Sequence, residues 1–253
     1  DGIRDDLVTG VQTCALPIWL SGADQRPELI NRIRQGLMLS NASMLPLGAL
    51  FVALGGPIVA LVYERGAFDA QAVQLVTGLL MAYGVGMPAY LGRDVLVRVF
   101  YALGDGTTPF RLSVAGIGMN VVFDWVLVGG PTPWGPQLPF NLGAPGLVLA
   151  TVAINLITCA ALLLALQSRL RVLPLRDWAM DGVRLLLAAV LSGVAAWAVS
   201  AWIAWPQDLL GRLFQVGLSA SFGLLVFAAV GQSVGVPEVT EITTTLTRRF
   251  SRR

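Results

Sequence analysis

GLMLSNASMLPLGALFVALGGPIVALVY, residues 36–63, contains no charged side chain. About 20 apolar residues suffice for a helix to cross roughly 30 Å of hydrocarbon, so this run is long enough to span a bilayer. Residues 70–92, 185–207 and 213–237 are likewise free of charge. Residues 125–168 also lack charge, but Pro131, Pro133, Pro136, Pro139 and Pro145, with Gly129, Gly130, Gly135 and Gly143, break that stretch into two helices joined by a loop. The first helix of this pair starts back at Pro109. Six spans are predicted, near 36–62, 71–100, 109–129, 145–168, 181–204 and 211–233.

Composition agrees with this pattern. Hydrophobic residues make up 55% of the chain and charged residues 13%, and the mean hydropathy is +0.71. That mix excludes an ordinary soluble domain and predicts an all-α integral membrane protein. All 17 basic residues are Arg, the formal net charge is only +2, and there is no His. A nucleic-acid-binding surface is not indicated. Cys14 and Cys159 stand far apart with no CxxC, so neither a metal site nor a redox pair is expected, and no cofactor is implied. A lipid phosphatase or glycosyltransferase would need clustered carboxylates, a His, or a nucleophile with its base. The chain is therefore not read as an enzyme.

Arginine placement sets the expected orientation, because short cytoplasmic loops are enriched in basic residues. Arg26, Arg32 and Arg34 precede the first span, Arg93, Arg98 and Arg111 flank the second junction, Arg169, Arg171, Arg176 and Arg184 the fourth, and Arg248, Arg249, Arg252 and Arg253 the tail. Only Arg65 and Arg212 fall on the opposite side, with Arg4 in the leader. Both ends are predicted to be cytoplasmic, with 19–35 a cytoplasmic segment and 236–253 a basic cytoplasmic tail. Residues 1–18 show no helical period and resemble translated adapter sequence. They are expected to be a non-native leader, a native cytoplasmic loop being the alternative, and the chain a C-terminal piece.

The junction RVFYALGDGTTPFR, residues 98–111, has its own logic. Gly104 and Gly106 permit a tight turn, Thr108 can cap a helix, and Pro109 at the first helical position needs no amide donor.

YERGAFDAQAVQLV at 63–76, AYGVGMPAYLGRDVLVRVFYALGDGTTPFR at 82–111 and GAPGLVLATVAINL at 143–156 resemble, in this order, the MurJ/MviN family of bacterial lipid II flippases. The resemblance runs from residue 28 to about 235. It implies membership of the multidrug/oligosaccharidyl-lipid/polysaccharide exporter superfamily, whose flippases have fourteen helices in two lobes. It also implies flipping of a lipid-linked peptidoglycan precursor across the inner membrane for cell wall synthesis. The six spans resemble the last six: 36–180 would supply four helices of the C-terminal lobe, and 181–235 two additional helices beside a lipid-facing groove. The implied partners are the lipid-linked precursor, membrane lipids and the missing N-terminal helices. The family's basic cavity residues lie on those helices, so this fragment is expected to be incomplete and inactive. An exporter of another polysaccharide-lipid or drug, or a non-transport membrane-assembly subunit, is the alternative.

Candidate site residues follow from the cost of polar groups at membrane depth, about 2.5–3.5 kcal/mol for Arg or Asp at a helix centre. Asn120 and Asp124 share one helix face with Gly116 and read as a polar contact to another helix or as part of a transport path. Arg93, Asp94 and Arg98 permit an Asp94–Arg98 pair one turn apart, with substrate contact as the alternative. Glu64 and Arg65 in one loop, and Asp105 and Thr108 in another, are turn-shaping or gating candidates. Asn41, Asn155 and Thr158 read as interhelical hydrogen-bonding groups.

Overall fold

The computed structural model describes residues 26–63, 70–129, 142–171, 173–206 and 208–235. Among them are six helices: α1 (Arg26–Tyr63), α2 (Ala70–Ala102), α3 (Thr107–Val128), α4 (Ala144–Leu170), α5 (Leu175–Trp202) and α6 (Leu209–Ser233). All six are long and apolar enough to cross a membrane. The predicted spans match them one for one.

Two starts differ from expectation. Residues 26–35, placed outside the first span by their arginines, are the opening turns of α1, whose 38 residues extend about 57 Å. Leu29 and Ile33 are buried there, and Glu28 lies 3.5 Å from Arg32 one turn later. Charge therefore marks where the apolar run ends but does not end the helix. Helix α5 likewise begins at Leu175, six residues early, directly after Pro174.

The α2–α3 turn also corrects the sequence reading. The helix starts at Thr107, so Thr108 is inside it and Pro109 sits at its third position. The cap comes from Asp105, whose Oδ1 accepts from the amides of Thr107 and Thr108 at 3.1 and 3.0 Å and from the Thr107 hydroxyl at 2.9 Å. Its Oδ2 accepts from the Thr108 hydroxyl at 2.7 Å and from Arg169 at 2.7 Å. Gly104, at φ +73°, supplies the left-handed turn, whereas Gly106 sits at an ordinary φ of −80°.

Helix α1 is central and packs against α2, α5 and α6; α2 packs on α4, and α4 on α3. The largest core joins Ile33, Leu37, Leu96, Phe100, Leu162, Leu166, Trp178 and Leu185 at the end where α2 turns into α3 and α4 into α5. Hereafter this is the near end. Helix α3 leans mainly on α4, barely touches α2, and presents Phe110, Ile117 and Val121 outward.

Candidate functional site: an apolar groove and a polar seam

A groove of about 1100 Å³ runs between α1, α2 and α5. Its walls include Val52, Met81, Val85, Leu186, Val190 and Trp197. Missing side chains make the room: at Gly56 and Gly182, both in the lining, a Cβ would meet nothing within 4 Å. From Asn41 to Pro57 the lining follows α1 for about 24 Å, most of the thickness of a hydrocarbon layer. Polar groups stand near its two ends. Asn41 lies toward the near end. At the other, Gln215 donates to the Ser200 hydroxyl at 3.0 Å and Trp205 to the Ser200 carbonyl at 3.1 Å. An apolar trough of this length suits one extended hydrocarbon chain.

The second feature is a polar seam where α2, α3 and α4 meet. Arg93 on α2 donates to Asn155 Oδ1 on α4 at 3.4 Å and to the Ser113 hydroxyl on α3 at 3.3 Å. Asn155 is buried and donates back to the Thr151 carbonyl at 2.8 Å. Helices α2 and α3 barely touch, so Arg93 is a strap between them. The expected Asp94–Arg98 pair does not form: among the described residues no ion pair or hydrogen bond joins them, and both are exposed. An exposed pair gains little over hydration.

Asn120 and Asp124 do come together, but on their own helix: Asn120 Nδ2 donates to Asp124 Oδ2 at 2.8 Å. The expected bond to a neighbouring helix is absent among the described residues. Asp124 Oδ1 is buried with no donor among the described residues. Gly116, on the same stripe, meets α4, where an added Cβ would lie 3.3 Å from Ile154 and 3.5 Å from Thr158 Oγ1. Glu64 and Arg65 lie outside the described residues.

Sequence reasoning missed the tie between helix ends. Asp105 binds Arg169, which also donates to the Leu103 carbonyl at 3.3 Å. Hydrogen bonds from Thr108, then from Thr107, and last the Arg169 charge hold the Asp105 carboxyl well below its usual 3.8, at about 2. Asp181 on α5 similarly binds Arg34 of α1 at 2.6 Å and Arg184 at 3.2 Å. No sequence spacing signals Asp105–Arg169 or Arg34–Asp181, whose partners lie 64 and 147 residues apart, whereas Asp181 and Arg184 are three apart on one helix. Among the described residues no three His, Cys, Asp or Glu side chains gather as a metal site.

A family model described as lipid II flippase MurJ matches residues 8–214, beginning inside the stretch set apart as a leader. A probable lipid II flippase MurJ from Synechocystis sp. is 41% identical over 94% of this chain and 43% of its own length. One from Rickettsia prowazekii is 34% identical over 39% of this chain and 18% of its own. In fold, the chain is similar to a solved lipid II flippase MurJ in an inward closed conformation, with TM-score 0.64 at 19% identity, covering 90% of this chain and 42% of that one. The chain thus spans less than half the length of these relatives. Six membrane-crossing helices in this arrangement, and a family match over most of the sequence, make the chain a multi-pass membrane protein of the MurJ lipid II flippase family.

Proposed function

We propose that this chain forms part of a transporter that flips a lipid-linked peptidoglycan precursor across the bacterial inner membrane, with both ends in the cytoplasm and without catalysing a chemical step. The observation that carries the reading is the family match over residues 8–214. The groove supports it: a trough about 24 Å long can shelter a hydrocarbon chain while a polar headgroup travels elsewhere. The relatives are more than twice as long as the matched part, so the activity is proposed for an assembly that includes the further helices those relatives carry. Residues 36–180 then act as part of one lobe, 181–235 as the added pair walling the groove, and 236–253 as a basic tail. Alternating access moves two bundles against a site between them. One bundle has no closed pathway, so this chain alone does not flip lipid.

Asp124 takes a place on the transport path in this reading. An intrahelical bond to Asn120 needs only one acceptor, and among the described residues the second, buried carboxylate oxygen meets no donor. The test is a chimera in which the matching segment of the Synechocystis relative is replaced by this chain. It should sustain growth when the resident flippase is depleted, and it should move lipid II in proteoliposomes. A chimera of normal membrane abundance that does neither overturns the reading, as does lipid II transport by the 253-residue chain alone.

A further inference from the structure

Packing in this bundle is uneven along its length. Among the described residues, seventeen buried apolar side chains form one continuous core at the near end, drawn from α1, α2, α4, α5, α6 and the α4–α5 connection. Toward the far end, among the described residues, the buried clusters are two of three: Leu50, Leu54 and Ala196, and separately Ala82, Val148 and Val152. A close-packed core resists deformation, while sparse clusters leave the helices they join free to shift.

Between the two regimes lies a belt of backbone contacts. A Cβ on Gly48 of α1 would collide with the carbonyl oxygen of Gly84 on α2, and one on Gly84 would lie 2.7 Å from the carbonyl oxygen of Gly48. On the other side of α1, a Cβ on Gly193 of α5 would stand 3.2 Å from the Ala49 carbonyl oxygen. A Cβ on Gly223 of α6 would stand 3.0 Å from that of Ser192. Four helices therefore touch, backbone to backbone, at one level. Beyond it α1 stays against α2, where a Cβ on Gly55 would lie 3.3 Å from Met81, and Arg212 of α6 donates to the Ala60 carbonyl of α1 at 3.2 Å, while the groove lining continues to Pro57, Trp197 and Ala201.

The belt also contains a break in the hydrogen-bond ladder. Pro88 lies inside α2 and has no amide hydrogen, so the Gly84 carbonyl loses its donor four residues on. That carbonyl is the one facing Gly48. A glycine Cα–H pointing at a carbonyl is a weak hydrogen bond and can replace part of the lost partner without fixing the angle of the helix. Proline inside a helix is where sharp bends form.

We propose that the Gly48–Gly84 crossing, with Pro88 beside it, is a hinge. The far halves of α1 and α2 swing about it relative to α5 and α6, widening and narrowing the groove while the near-end core stays fixed. The hinge follows from packing and backbone chemistry and does not rest on the identity of the transported lipid.

Electron–electron distance measurements on spin-labelled chain in lipid nanodiscs test this. One label pair goes at Gln74 and Trp202, exposed positions in the far halves of α2 and α5, and a reference pair at Arg98 and Arg176, exposed near the core. The far pair should show a distance distribution at least twice as wide as the near pair. Pro88→Ala supplies the missing donor and should narrow the far distribution toward the near one, leaving the near pair unchanged. Gly48→Ala should push α1 from α2 and displace the far mean. Equal widths in the unaltered chain, or a far width that Pro88→Ala leaves unchanged, overturns the proposal. Pro88→Ala decides the matter even if Gly48→Ala does not assemble.

Discussion

Ser192 offers a clean measurement of what holds the outer wall of the groove. Its side chain is fully buried, and its hydroxyl donates to the Gly223 carbonyl on α6 at 2.7 Å. That carbonyl also has a helical donor available four residues on, the amide of Phe227, so Ser192→Ala removes a bond without stranding its acceptor. Interhelical hydrogen bonds in membrane proteins average about 0.6 kcal/mol and reach about 1.7 kcal/mol. The short, buried geometry here places the loss toward the upper part of that range, about 1.2–1.7 kcal/mol, a change of roughly 7- to 16-fold in the unfolding equilibrium. Ser192→Val loses the same bond and also forces methyl groups against the Gly223 backbone, adding about 1–3 kcal/mol of overpacking. Valine should therefore destabilise by about 2–4 kcal/mol, well beyond alanine. Reversible unfolding of the purified chain in mixed micelles, followed by helical circular dichroism, reads both values. Equal losses for the two variants would refute the account, and so would an alanine variant as stable as the parent.

Three other outcomes are expected. Because the folded Asp105 carboxyl sits near 2 and its ordinary value is 3.8, its contribution to the α2–α3 turn is complete above pH 3.8. It is lost as pH falls through about 2, a loss read from hydrogen exchange at the Thr107 and Thr108 amides. Thr108→Val should raise that midpoint more than Arg169→Gln does, since the Thr108 bonds contribute more than the Arg169 charge. In a cysteine-free chain, single cysteines at Thr107 and Arg176 should resist an impermeant maleimide applied from outside, whereas those at Ala67 and Gln137 should react; the reverse pattern refutes the arginine-based orientation. In the chimera, Asp124→Asn should reach normal membrane abundance but transport at least tenfold more slowly, and full transport by that variant would reduce the Asn120–Asp124 pair to a structural bond.

The helices were legible because their evidence is one-dimensional. An uncharged run such as 36–63 or 185–207 must satisfy its backbone internally if it enters lipid, so run length alone announces a helix. The ends were less legible, since α1 continues through Arg34 and Arg32 once it leaves the apolar run. A helix outside the hydrocarbon tolerates charge, and a Glu28–Arg32 pair one turn apart is compatible with it. The α2–α3 turn shows the same limit: the sequence pointed to Thr108 as the cap, but with the chain turning left-handed at Gly104 it is the Asp105 carboxylate that meets the free amides.

Site geometry depends on which helices are neighbours, and that order is not written in any single helix. Arg93 is bonded to Asn155 and Ser113 because α4 lies between α2 and α3; sequence spacing offered instead the Asp94–Arg98 pair, one turn away and on the exposed face. The groove carries the point further, because it is built from side chains that are absent. Gly48, Gly84 and Gly193 lack a Cβ so that backbones can touch, whereas Gly56 and Gly182 lack one where there is open space. In sequence nothing tells the five apart, since a glycine in an apolar helix is in each case a place where another helix could approach. Placing α1 between α2 and α5 separates them: all five border the groove, but the first three also meet the backbone of a neighbouring helix, whereas the other two meet only open space. A methyl group therefore has opposite consequences at the two kinds of position, blocking helix contact at Gly48 and merely narrowing the trough at Gly56.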